Sequence, residues 1–457
     1  MPERPLKIVY FTAGAAGMFC GSCLHDNTLA RALLAEGHDV QLIPLYTPIR
    51  TDEEDMSTAP ILLGGINMYL QQHSSIFRWL PRWLDRWLDQ PWLINWASGR
   101  SVKIDPPDVA DLTLSILRGS EGNQRKEVLR LVDWLAAEPL PDILIFTNIL
   151  TAGCIPEIKR RLNVPVVVTL QGDDIFLRAL PEPQQSQSLA EIRRLANHID
   201  AYIAHTNFYA DAMSAYFGLE RAKIHVVPLG IDTRDYRDLT KLPQHPPTIG
   251  YLARLAPEKG LHILAEAFIA LKKMPGMEAA RLRIAGWLGG KDQAYAEQTF
   301  AALRSAGLAS EFEYVGEVTR QQKLNFLASL DLLAVPTTYQ EPKGLFALEA
   351  LAAGVPVLLP DHGAFPELLQ DTQGGLLHRP NDSQHLAERL HELLTDPARI
   401  KQLAELGRMR VHSMRHAEKM ATQTIEVLRG IVEMTRKAEG APRKTAFQTN
   451  SSAVERA

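Results

Sequence analysis

Short apolar runs alternate along the chain with longer stretches whose apolar residues recur at helical spacing. Runs at residues 7–11, 40–45, 141–148, 165–170, 199–205 and 224–228 read as buried strands. Helical patterns cover 22–36, 124–137 and 152–162 between them. A second series begins at Thr248, with strands at 249–252, 281–285, 332–336 and 355–359 and helices from Leu261 and over 344–353. Segments 312–316, 323–330 and 374–377 belong to the same series, and helices over 383–394 and about 399–436 close it. Strand–helix–strand repeats of this length predict parallel sheets covered by helices, because each crossover returns the chain over the sheet face. The expected fold class is α/β, with two Rossmann-like domains at 1–235 and 246–410 and a final helix at 411–437. The polar, proline-bearing stretch 233–247 reads as the linker, and 438–457, poor in bulky residues, as a disordered tail.

Composition narrows the classes. With 457 residues there is room for two or three domains that each bury a core. A net charge of −4 supplies no basic field for nucleic acid. Three cysteines are too few for a disulfide framework and suit a reducing compartment. The first residues, MPERPLKIVYFTAG, lack the apolar core of a signal peptide, and no apolar run reaches the length of a membrane span. A cytoplasmic protein is expected.

Two local compositions stand out. Cys20 and Cys23 form a C-x-x-C in a loop that also holds Gly14, Gly17 and Gly21. Tetrahedral zinc needs four ligands and no second Cys/His pair has suitable spacing, so the two thiols read as packing at a helix start. Residues 71–100 hold Trp79, Trp83, Trp87, Trp92 and Trp96, interleaved with Arg78, Arg82 and Arg86. Three readings stand for this insertion: aromatics packed on the first domain, a pocket for an aromatic or sugar-containing acceptor, or a helix making weak, peripheral contact with a membrane surface.

Candidate chemistry gathers at 335–367. A strand empties into a loop bearing Glu341, and the helix that follows holds Glu349 among Ala and Leu. A carboxylate in such surroundings is costly unless something donates hydrogen bonds to it, which a ribose diol would do. The turn at Lys343, Gly344 and Leu345 offers backbone N–H groups and the positive end of a helix dipole, which suits phosphate. One carboxylate for a sugar, amides for phosphate and a second carboxylate for ribose describe a nucleotide-sugar site. The plainer reading gives Glu349 a basic neighbour and leaves Glu341 as a solvated charge. Arg254 at a strand end and Lys259 at a helix start add two cations near the phosphate position, and Arg matches phosphate geometry bidentately. Trp287 either borders a nucleobase or simply packs. In the first half, strand 165–170 ends in Gln171, Gly172, Asp173 and Asp174, at the strand terminus where function is expected in such folds. At least one of the two Asp reads as a cap for the following helix.

Glu341 and Glu349, with Gly354-Val355-Pro356-Val357 and Pro366-Glu367 after them, resemble the E-x7-E signature of retaining glycosyltransferases of family 4, also called group 1. The resemblance implies a GT-B fold: two Rossmann-like halves, a central cleft and C-terminal helices that cross back to the first half. It implies that Arg254 and Lys259 hold the donor diphosphate, Glu349 the ribose and Glu341 a sugar hydroxyl. Gly17 lets the first loop approach donor phosphate and acceptor. Gln171 stands where many members carry His beside the reaction centre, a departure that keeps hydrogen bonding and removes a proton-transfer group. The catalytic candidates are therefore Glu341, Gln171 and Asp173; the donor-binding candidates are Gly17, Arg254, Lys259, Lys343, Gly344, Leu345 and Glu349. Asp173-Asp174 is not D-x-D and lies in the wrong half for metal chelation, so no metal and no cofactor are expected. The substrates would be a UDP-, GDP- or ADP-sugar donor and a sugar, lipid or small-molecule acceptor. Three other activities share this architecture: a sugar-nucleotide epimerase, a sugar phosphorylase and a non-catalytic nucleotide-sugar sensor.

Overall fold

The structure is a computed structural model, and it describes residues 4–14, 20–57, 68, 71–72, 106–240 and 246–440. Two six-stranded parallel sheets organise the chain. The first contains β1 (Lys7–Thr12), β2 (Asp39–Pro44), β3 (Ile143–Phe146), β4 (Val166–Thr169), β5 (Ala201–Ala204) and β6 (Ile224–Val226), in the order β2-β1-β3-β4-β5-β6. The second contains β7 (Thr248–Leu252), β8 (Arg281–Ala285), β9 (Phe312–Gly316), β10 (Leu332–Ala334), β11 (Val357–Pro360) and β12 (Gly375–His378), in the order β12-β11-β10-β7-β8-β9. The strands read as apolar runs because helices cover both faces: every residue of β3, β4, β5, β7, β10 and β11 is buried.

Strand order fixes where a ligand can sit. In the first sheet β1 leads outward to β2 while β3 lies on its other side, so the loops leaving β1 and β3 diverge. In the second the same divergence falls between β7 and β10. Crevices open outside the carboxyl ends of the strands at such switch points.

The two halves are joined by more than one strap. After β6 the backbone runs against the C-terminal segment, with Ile231 N–H donating to Arg415 O at 3.0 Å and Ala417 N–H to Ile231 O at 2.9 Å. The Ala417–Gly440 helix then returns to the first half, where Thr422 donates to Glu36 at 2.8 Å and Arg436 pairs with Asp142 at 2.8 Å. This is the crossing-back expected of a GT-B fold.

Several elements differ from the sequence reading. Residues 149–154 form a 3-10 turn, and the helix expected from 152 begins at Ile155, with Pro156 in its first turn. The expected linker is not uniformly solvated: Arg234–Tyr236 is a 3-10 turn whose Tyr236 is fully buried, and Asp232 pairs with Arg31 and Arg234. The stretch read as helical over about 399–436 is two helices, Pro397–Met414 and Ala417–Gly440. Gly17, the tryptophans of 71–100 and the tail from 441 onward lie outside the described residues. Among the described residues, no helix is long and apolar enough to cross a membrane.

Candidate active site

The second switch point is built from two loops in backbone contact. The loop after β7 ends at Gly260, which has φ +74°, and a Cβ there would lie 1.8 Å from Pro336 O in the loop after β10. Only glycine allows the two loops to meet. Lys259 is thereby set against Glu341: its Nζ donates to Glu341 Oε2 at 2.8 Å and to the Tyr339 hydroxyl at 2.5 Å. Tyr339 also donates to Glu341, and Gly344 N–H approaches Glu341 Oε1 at 3.4 Å. Burial pushes the Glu341 carboxyl up, but the Lys259 charge and these hydrogen bonds outweigh it and hold the group below the usual carboxylate range.

Gly344 caps the Leu345–Ala352 helix at φ +71°, and the ladder begins with Ala347 N–H to Gly344 O. Leu345 and Phe346 N–H precede that ladder, at the positive end of the helix dipole. Arg254 leaves the end of β7 half-buried and pairs with Glu258 at 2.9 Å. Trp287 follows β8, where its carbonyl accepts from Leu255 N–H at 3.0 Å.

Glu349 lies on the same helix, buried, and its Oε1 accepts from Lys323 Nζ. Lys323 also stands 2.5 Å from Asp52 of the first half. The burial of Glu349 is therefore met by a protein cation, and a ribose is not needed to account for it. Among the described residues, none bonds its second oxygen.

The first switch point contributes Gln171, at the end of β4. Its Nε2 donates to Asp26 Oδ1 and to Thr147 O, both at 3.0 Å, so the amide orientation is fixed with Oε1 toward the cleft. There it accepts from Lys343 Nζ at 2.7 Å. Lys343 springs from the second half and also reaches Ser22 Oγ at 3.2 Å and Gly21 O at 3.5 Å. Its ammonium is buried, which pushes its pKa down, partly offset by Cys20 and Asp26.

Asp26 was not expected from the sequence. It is fully buried and accepts from Tyr10 at 2.5 Å, Thr12 at 2.7 Å, Thr147 at 2.5 Å and Gln171, with His25 Nδ1 at 3.0 Å. Burial pushes its carboxyl up, and the contacts from His25, Thr147 and Tyr10 bring it below the usual range. Asp26 lies in a run of polar residues, His25 to Thr28, that are all buried, so no amphipathic pattern in the sequence set it apart. Thr12 ends β1 and Thr147 follows β3, so Asp26 sits in the first sheet's switch point and braces Gln171 from behind.

The Asp173–Arg178 helix is capped by Gly172 at φ +106°, and neither aspartate caps it. Asp173 Oδ2 instead takes Gln171 N–H at 3.2 Å, and Asp174 takes the Tyr209 hydroxyl at 2.9 Å. Burial pushes Asp173 up to about 7. Glu367 crosses the cleft the other way, accepting Asn207 N–H at 2.9 Å and Phe208 N–H at 2.5 Å at the start of the Asn207–Phe217 helix.

The geometry thus brings together Glu341, Lys259, Lys343, Gly344, Gln171 and Asp173 and leaves Arg254 and Glu349 with protein partners beside them. Residues 232–410 match the family model for glycosyl transferases group 1, and residues 113–235 that for Glycosyltransferase Family 4. The chain belongs to the group 1 glycosyltransferases. Glycogen synthase of Mycobacterium tuberculosis (strain H37Rv) is 28% identical over 416 residues, covering 88% of this chain and 89% of that protein. D-inositol 3-phosphate glycosyltransferase of Nocardia farcinica is 27% identical over 231 residues, 49% of this chain and 51% of the other. Sucrose-phosphate synthase from Thermosynechococcus elongatus superposes with a TM-score of 0.67 at 18% identity, covering 94% of this chain and all of that one. Anabaena HepE in complex with UDP gives 0.65 at 18% identity, with 93% and 100% covered. These superpositions show that this glycosyltransferase has the GT-B fold.

Proposed function

We propose that this enzyme transfers a sugar, with retention at the anomeric carbon and without a metal, from a nucleotide-sugar donor gripped by the second half to an acceptor presented by the first. The first half ends near residue 235 and the second begins near 246, and the donor is a UDP-, GDP- or ADP-sugar. One observation supports the reading above the others: the β7/β10 and β1/β3 switch points face each other, and the Lys343 ammonium reaches from one to the other. A substrate between them meets cations and helix amides on one side and neutral hydrogen-bonding groups on the other.

Lys259, Arg254 and the helix tip at Gly344 and Leu345 would hold the diphosphate and stabilise the charge that develops on it as the glycosidic bond breaks. Glu341 is an anion tied by Lys259 and Tyr339, suited to orient a sugar hydroxyl. The second oxygen of Glu349 would take a ribose hydroxyl while Lys323 holds the first. Gln171 would hydrogen-bond the transferring sugar or the acceptor. Asp173, held beside Gln171 by that residue's N–H and raised by burial to about 7, would take or share a proton at the acceptor side. The family relation and the donor-dependent names of relatives, such as GDP-mannose-dependent mannosyltransferase of Mycobacterium tuberculosis, support the donor class.

Thermal-shift screening of UDP-, GDP- and ADP-sugars tests the proposal, because a ligand at 100-fold its Kd adds about 2.7 kcal/mol of stability. One sugar nucleotide should raise the Tm and then serve as donor with the product linkage retained. A chain that no sugar nucleotide stabilises would refute the donor site, and an inverted product would refute retention.

A further inference from the structure

The C-x-x-C of the first loop has no part in the chemistry above, yet its two intervening residues do. Gly21 O and Ser22 Oγ, which lie between Cys20 and Cys23, are the groups of the first helix that Lys343 reaches. Cys20 is the N-cap of the Gly21–Ala35 helix, in extended conformation at φ −119° and ψ 121°, and Cys23 lies in the first turn. Positions three apart in a helix have Cα atoms about 5 Å apart, inside the roughly 4.4–6.8 Å that a disulfide spans. The two thiols are close enough for each to shift the other's titration, Cys20 downward and Cys23 upward. Cys20 is partly exposed and Cys23 is buried, so Cys20 is the more accessible of the two. Among the described residues, no group of three or more His, Cys, Asp or Glu is placed to hold a metal.

We propose that Cys20 and Cys23 are a reversible dithiol–disulfide pair in the floor of the cleft, a modification site whose state sets the turn that Lys343 grips. Cys20, the more accessible of the two at the helix start, is the attacking thiolate; its interaction with Cys23 draws the thiol down to about 6 against the opposing effect of burial, with the Lys343 charge helping. With glutathione disulfide as oxidant, the Cys20 thiolate attacks one of its sulfurs, forming a mixed disulfide and expelling one glutathione thiolate. Cys23 then gives up its proton and attacks the Cys20 sulfur, expelling the second glutathione. The pair loses two electrons and two protons, which leave as two molecules of reduced glutathione. The disulfide removes the thiolate beside Lys343 and tightens the turn holding Gly21 and Ser22.

The test equilibrates the full chain with excess glutathione disulfide and reads intact mass and peptide maps. The expected product has lost two hydrogens, has no retained adduct, carries a Cys20–Cys23 cross-link and reverts with dithiothreitol. Cys154, buried and pushed up to about 12, should stay a free thiol. Cys23→Ser should stop at a single glutathione on Cys20, and Cys20→Ser should take none. A wild-type chain that stays fully reduced, or Cys20→Ser and Cys23→Ser trapping glutathione equally, would overturn the assignment. The mass readout needs no substrate, so its failure is distinct from failure of the transferase reading. The activity arm rests on that reading: the oxidised enzyme should turn over at least about fivefold more slowly, the low end of coupling between linked sites, and unchanged turnover would remove the link to Lys343.

Discussion

Lys343 Nζ donates to Gln171 Oε1 at 2.7 Å across the cleft, a charge-assisted bond between residues 172 positions apart. Lys343 reaches this acceptor because Gly344, at φ +71°, turns the chain between the loop and the helix. Gln171 in turn is held from behind by Asp26. The residue that departs from the family pattern is thus partnered by a cation from the opposite half.

Replacing Lys343 by Met should lower kcat by about a hundredfold, the scale of removing one preorganised donor from a reaction centre, with a smaller change in donor KM. Steady-state kinetics decide it, and unchanged kcat would show that the ammonium only pins the halves together. Asp26→Asn, which keeps shape but turns one acceptor into a donor, should lower kcat in the same direction by disordering Gln171.

Lys323 and Glu349 form a buried pair, with Asp52 as a third member. Lys323→Met strands two buried carboxylates and should destabilise the fold by about 3–5 kcal/mol, whereas Glu349→Met leaves Lys323 paired with Asp52 and should cost less. Urea unfolding of the two variants checks this order. Glu349→Gln should also weaken donor binding, and intact affinity in isothermal titration would sink its ribose role.

Asp173 and Glu341 predict opposite pH responses. Burial raises Asp173 to about 7, so between about pH 4 and 7 the native state holds a proton that the unfolded chain has released. Stability from this group therefore falls as pH rises through that window. Glu341 is held below its ordinary value, so its contribution is present above that value and is lost as pH falls through the folded pKa. Asp173→Asn should flatten the decline in urea midpoint expected of the wild type between about pH 4 and 7, and a parallel decline in both proteins would contradict the assignment.

Gly344→Ala places a Cβ 3.0 Å from Leu368 Cδ1 and forces a left-handed alanine. The backbone cost is about 1–2 kcal/mol, and because the turn aims the helix amides, donor affinity should drop along with Tm. Thermal melts with and without donor separate the two effects.

Turnover should survive EDTA in full, since the proposal assigns leaving-group charge to Lys259, Arg254 and the helix tip. Loss of activity on chelation, restored by added magnesium or manganese, would replace that assignment.

What the sequence determined by itself is whatever depends on neighbours within a few residues. Strand and helix runs, the glycine turn at Gly344 and the placement of Glu341 and Glu349 about a short helix all follow from local pattern. Lys259 was legible as a candidate because it stands at a helix start after a strand. Contacts between distant segments were not legible. Asp26 meets Gln171 over 145 positions, Glu367 receives Asn207 N–H over 160, and Tyr236 is buried inside a stretch that reads as a linker. The reason is physical: hydrophobic periodicity reports which face of an element is buried and says nothing about which polar group waits there. Partners for buried polar atoms are chosen when sheets pack and halves close, and only the tertiary structure decides that Lys343 spans the cleft to Gln171 while Lys323 takes Glu349.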